Sequence, residues 1–129
     1  LQGVRLHDAE RVLQRAMRLK PDNGYIADSW GWHLFVRGKT REAVVALEHA
    51  AKLKPDELTI LEHLGDAYLR MGLPEKALYQ YREAVRHAND ESSKQRVATK
   101  LNNLMTEVAR SRDSERIPAG RPSPSLSSP

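Results

Sequence analysis

The chain has 129 residues, no cysteine and a net charge of +4, with 40% apolar and 5% aromatic residues. That is one domain's worth of chain with a modest core, without disulfides or thiolate metal sites, and no apolar run approaches the ~20 residues that cross a bilayer. Lys and Arg outnumber Asp and Glu five to two in residues 1–21 and seven to four in 91–129, but trail nine to eleven in 22–90, so the basic excess lies at the ends and argues against a central nucleic-acid face.

In chain order, apolar periodicity predicts a first helix over 6–19, with Leu13, Ala16 and Met17 on its inner face. A second, over 24–37, contains YIADSWGWHLF, in which Gly31 sits between the only two tryptophans, Trp30 and Trp32. Glycine inside a helix costs roughly 1 kcal/mol relative to alanine, so that position calls for a compensating reason. Helices over 40–53, 58–71 and 74–87 follow. Pro55 cannot continue a helix, Asp56 is placed to begin the next, and Gly38 and Gly72 suit left-handed turns. A sixth helix over 92–110 carries Val97, Leu101, Leu104, Met105 and Val108 on one face, with Lys94, Arg96, Lys100 and Arg110 mostly around it. Residues 111–129 are rich in Ser and Pro and are expected to form a disordered tail.

Shifting the sequence by 34 brings these elements into register. Gly31 meets Gly65, Gly38 meets Gly72, and Pro21 meets Pro55. Ala9, Ala43 and Ala77 form one column, Ala16, Ala50 and Ala84 another, and Leu13, Leu47 and Tyr81 a third. The small columns let a facing helix approach, and the large column fills the space between them. Gly31 therefore reads as the place where a neighbouring helix comes close, with Trp30, the counterpart of Leu64, as packing. Trp32 is the counterpart of Asp66, and a slot that accepts either residue is not expected to be fully buried.

The columns resemble the tetratricopeptide repeat. The second unit matches its pattern at Leu61, Leu64, Gly65, Tyr68, Ala77, Tyr81 and Ala84, and the first at Ala27, Trp30, Gly31, Leu34, Ala43, Leu47, Ala50 and Pro55. The first departs at Ala27 and Leu34, where larger aromatic residues are usual. The resemblance implies an all-α fold, with antiparallel helix–turn–helix units stacked in a right-handed superhelix. Residues 1–23 would be the second helix of a truncated unit, 24–57 and 58–91 two full units, 92–110 a capping helix and 111–129 the tail. Such a chain reads as a fragment or C-terminal piece of a longer protein, with self-association expected through the bare face of its first helix. Stretches such as HLGDAYLRMG are similar to the closing repeats of tetratricopeptide proteins of Gram-negative bacteria, which implies bacterial cytoplasm or cell envelope, the periplasmic side included.

In that family the first helices of successive units line a concave groove. The matching positions implicate Tyr25, Asp28, Trp32 and Phe35, then Glu62, His63, Asp66 and Leu69, with Ser29, Val36, Thr59 and Arg70 beside them. Helical spacing puts residues 25, 28, 32 and 35 on one face and 59, 62, 66 and 69 on another. The groove is expected to be aromatic at one end and acidic at the other, and to take a protein or peptide segment with apolar anchors and positive charge. Trp32 is the first candidate anchor and Phe35 the second. The competing expectation is that Tyr25, Trp32 and Phe35 pack within the protein.

The five histidines show no metal-ligand spacing, and H-E-x-x-H is absent. Asp66 lies one helical turn from His63, a spacing more typical of a surface hydrogen bond than of an acid–base pair. No enzyme activity, metal or cofactor is therefore expected. Two rival readings remain: a purely structural end of a longer superhelix whose partner site lies upstream, and a weak anionic-surface or nucleic-acid binder acting through the basic ends.

Overall fold

A computed structural model describes residues 2–115, which form six α-helices: α1 Gln2–Leu19, α2 Gly24–Val36, α3 Thr40–Leu53, α4 Leu58–Arg70, α5 Pro74–Arg86 and α6 Glu91–Glu115. No strand occurs among the described residues, and no helix among them is long and apolar enough to cross a membrane. Each helix packs on its chain neighbours, and α2 also touches α4. Residues 116–129, most of the expected tail, lie outside the described residues.

Local signals explain most of the boundaries. The Asn23 side chain accepts hydrogen bonds from the amides of Tyr25 and Ile26, both at 3.0 Å, and so begins α2. Asp90 starts α6 in the same way through the amide of Ser93 at 2.8 Å, and those bonds hold its carboxyl below the ordinary range. Asp56, expected to begin α4, instead lies in the preceding turn, and the N-cap Glu57 makes no side-chain capping bond. Pro74 occupies the first turn of α5, where its missing N–H costs nothing.

The glycines divide into two kinds. Gly38 and Gly72 have φ of 82° and 78°. Each closes a helix by donating to the carbonyl three residues back, while the next residue donates to the carbonyl five back (Lys39 to Leu34, Leu73 to Tyr68). Nothing lies near a Cβ built on either, so only backbone conformation selects glycine there. At Gly31 and Gly65 space selects it. A Cβ at Gly31 would stand 2.6 Å from Leu47 Cγ, and one at Gly65 would stand 2.5 Å from Tyr81 Cε1. The two glycines face equivalent residues one unit apart, as the repeat predicts.

The core follows the same columns. Ala43, Leu47, Ala50, Ala77, Tyr81 and Ala84 are all buried, and Val97 and Leu104 bury the inner edge of α6. Trp30 packs against this core but is only half-buried. The first member of each column behaves differently, because α1 has no helix on that side among the described residues: Ala9 is exposed, and Leu13 and Ala16 are half-buried. Glu10 ties α1 to α2, 3.8 Å from His33 and 3.6 Å from Arg37.

The α6 helix is longer than its expected span of 92–110, taking in residues 111–115 that were assigned to the tail. The reason lies in one slot. The position of Gly38 and Gly72 falls on Thr106 in the third copy, which has no cause to leave the helix, so α6 runs on where an ordinary unit would turn.

Candidate functional site: the concave face

The first helices of the units, α2 and α4, lie side by side, and α6 takes the same place in a third copy. Their shared face gathers the residues singled out from the sequence. At the α2–α4 junction four planar groups stack in series. The Arg70 guanidinium lies 3.4 Å from the Phe35 ring centre, Phe35 stacks on Trp32 at 4.7 Å, and Trp32 stacks on His63 at 4.0 Å. Both aromatic stacks are within 19° of parallel. The ends are pinned: Arg70 Nη1 donates to the Phe35 carbonyl at 2.7 Å, and His63 Nδ1 lies 2.7 Å from Asp28 Oδ1. His63 therefore pairs with Asp28 of the preceding unit and not with Asp66 on its own helix.

This arrangement sorts the candidate anchors. Phe35 is buried beneath Trp32 and Arg70, so a partner has little of it to touch. Trp32 is half-buried, held between Phe35 and His63 and packed against the core. Tyr25 and Leu69, on α2 and α4, are 53% and 41% exposed. The Tyr25 hydroxyl donates to Glu57 at 3.0 Å.

The acidic end is not a free acidic surface. Glu62 is buried, and Arg96 grips it with two bonds, Nη2 to Oε1 at 2.8 Å and Nε to Oε2 at 3.1 Å. Lys100 lies 2.8 Å from Glu62 Oε2 and 3.1 Å from both oxygens of Asp66. Asp66 also accepts from the Tyr81 hydroxyl at 2.6 Å. Burial alone would raise the Glu62 carboxyl, but the bonds from Arg96 and Lys100 outweigh it and hold the group below its ordinary range. Burial likewise works against the Lys100 ammonium, and the two carboxylates override it, raising its pKa. Burial and Asp66 together push the Tyr81 phenol up.

The sequence reading placed Arg96 and Lys100 on the polar side of a cap and missed this contact. The signal was present: Arg96 is 34 residues after Glu62 and Lys100 is 34 after Asp66, so each cation occupies the next unit's copy of its carboxylate's slot. Among the described residues no group of three or more His, Cys, Asp or Glu side chains could hold a metal ion.

The fold recurs in solved structures. SycD, the type III secretion translocator chaperone of Yersinia enterocolitica, superposes with a TM-score of 0.76 at 19% identity, over 84% of this chain and 77% of that one. The fold is a tetratricopeptide-like helical repeat. PcrH of Pseudomonas aeruginosa, in complex with the chaperone binding region of PopD, matches this repeat stack with a TM-score of 0.74 at 16% identity, over 82% and 83% of the two chains. The first tetratricopeptide domain of Spaghetti (RPAP3), bound to an HSP90 peptide, gives 0.74 at 15% identity over 84% and 83%. No family model and no curated protein matches the sequence.

The buried Glu62 pair sets a pH dependence. A carboxyl lowered by folding contributes stability above its unfolded pKa of about 4.3, and that contribution disappears as pH falls through the lower folded value. Glu62→Gln is expected to cost about 1.5–3 kcal/mol at pH 7, the range for hydrogen bonds to charged groups. Urea melts across pH should show the gap between wild type and variant closing in acid, below the ordinary carboxylate range. A gap unchanged down to pH 2 would exclude the ion pair as its source.

Proposed function

We propose that this protein is a non-catalytic interaction module that holds a peptide or protein segment along its concave face. The observation that carries the reading is Trp32, a large aromatic ring fixed between His63 and Phe35 and only half-buried. A rigid, partly exposed aromatic presents contact area with little ordering entropy left to lose, which is why such residues dominate many interfaces. The similar folds include SycD with a peptide of the translocator YopD, together with the PcrH and Spaghetti complexes, and these support peptide recognition as the mode of action.

The partner's chemistry is revised from the sequence expectation. Apolar anchors remain, seated on Trp32. Positive charge has no free carboxylate to meet at Asp28, Glu62 or Asp66, because His63, Arg96 and Lys100 already occupy them.

Peptides selected on the immobilised protein from a displayed library are expected to lose at least about tenfold in affinity with Trp32→Ala, while far-UV circular dichroism stays unchanged. Binders indifferent to Trp32, or a library that yields none, would contradict the reading.

Self-association through α1 is a second element of the proposal. It is favoured by the half-buried Leu13 and Ala16, whose counterparts Leu47, Ala50, Tyr81 and Ala84 are buried. Sedimentation equilibrium should show a dimer that Leu13→Lys abolishes; a monomer across the micromolar to millimolar range would refute it.

A further inference from the structure

The last helix does more than close the stack. α2 and α4 have 13 residues each, whereas α6 has 25. Its first half fills the slot of a third first helix, and the residues after Leu104 run on for about 16 Å at 1.5 Å per residue. This overhang passes beside the turn between α4 and α5, leaving an open groove of about 530 Å³. A smaller hollow of about 200 Å³ continues it toward Lys100 and Tyr81.

The groove has an apolar floor and an acidic rim. Leu69, Leu104 and Val108 form the floor, with Leu69 still 41% exposed. Glu75, Glu107, Glu115 and Arg112 surround it. Arg112 lies 3.2 Å from Glu75 and offsets that charge. Glu107 and Glu115 are exposed and have no hydrogen-bond or ion-pair partner among the described residues. They contrast with Glu62 and Asp66, whose charges are answered from within the protein.

We infer that this groove receives a basic, apolar segment of a partner polypeptide. A large aliphatic or aromatic side chain rests on Leu69, Leu104 and Val108, and Lys or Arg residues within a turn of it face Glu107 and Glu115. The charge pattern selects the occupant: an apolar anchor alone would leave two unanswered carboxylates at its edge, and an acidic segment would meet repulsion. The inference rests on the peptide-binding reading and deepens it, by moving the recognition of positive charge from the middle of the groove to the end of α6.

The test uses the full chain and two short fluorescein-labelled peptides, one alternating Leu with Lys and one alternating Leu with Glu, followed by fluorescence anisotropy at low salt. The Leu-Lys peptide is expected to bind at least about tenfold more tightly, with affinity falling as salt rises. Glu107→Lys with Glu115→Lys, both at exposed positions, should weaken it about tenfold with an unchanged circular dichroism spectrum, while Trp32→Ala changes it less than about twofold. Equal affinity for the two peptides would overturn the inference, as would a charge-reversed variant that binds like wild type. Loss of binding in Trp32→Ala alone would overturn it too, while leaving the aromatic platform as the site. A truncation after Glu115 that raises Leu-Lys affinity tenfold would assign the groove to the chain's own tail, and so would also overturn it.

Discussion

Leu47 and Tyr81 lie so close to Gly31 and Gly65 that neither glycine has room for a methyl group. That spacing draws the two helices of each unit together, and the alanines at 43, 50, 77 and 84 extend the close approach along their length. Because the same contact recurs one unit later, the units share one geometry and stack in one direction. The concave face is a consequence: with α2 and α4 fixed on their partners, the residues on their open side line up. Trp32 and His63 meet because each sits where the spacing of its own unit leaves it.

The ion lattice between α4 and α6 works on top of that framework. A buried carboxylate loses hydration, and its partners roughly repay the loss, so such pairs add little to stability compared with apolar packing. Their effect here is on register. With α6 one full unit from α4, Arg96 meets Glu62 and Lys100 bridges Glu62 and Asp66, so both carboxylates are answered at once. Val97 and Leu104 supply the apolar contact, and the charges select which of its possible alignments is used.

Much of the fold was legible in the chain because its signals are local and repeated. Glycine at two distinct slots, proline after a helix and alanine columns each have one physical cause, and each recurs at 34 residues. The site was less legible for the opposite reason. Placing Asp28, Glu62 and Asp66 on a face is a matter of helical period, but knowing that each already has a partner requires knowing what lies across from them. His63 illustrates the point: its nearest carboxylate in sequence is Glu62 and its helical neighbour is Asp66, yet its partner is Asp28 on another helix. The length of α6 was missed because Ser and Pro further on made the whole C-terminal stretch look unstructured, while Thr106, standing where a turn glycine would end the helix, escaped notice.

The claim that glycine opposite a large residue sets the unit spacing is tested most directly by a double-mutant cycle between Gly31→Ala and Leu47→Ala. Alanine is favoured over glycine in a helix by roughly 1 kcal/mol, and overpacking a core costs about 1–3 kcal/mol. With Leu47 present, Gly31→Ala should therefore be net destabilising. In the Leu47→Ala background, where the obstructing side chain is gone, the same change should become neutral or stabilising, giving a coupling of at least about 1 kcal/mol between the sites. Equal effects of Gly31→Ala in the two backgrounds, measured by urea denaturation, would contradict the account.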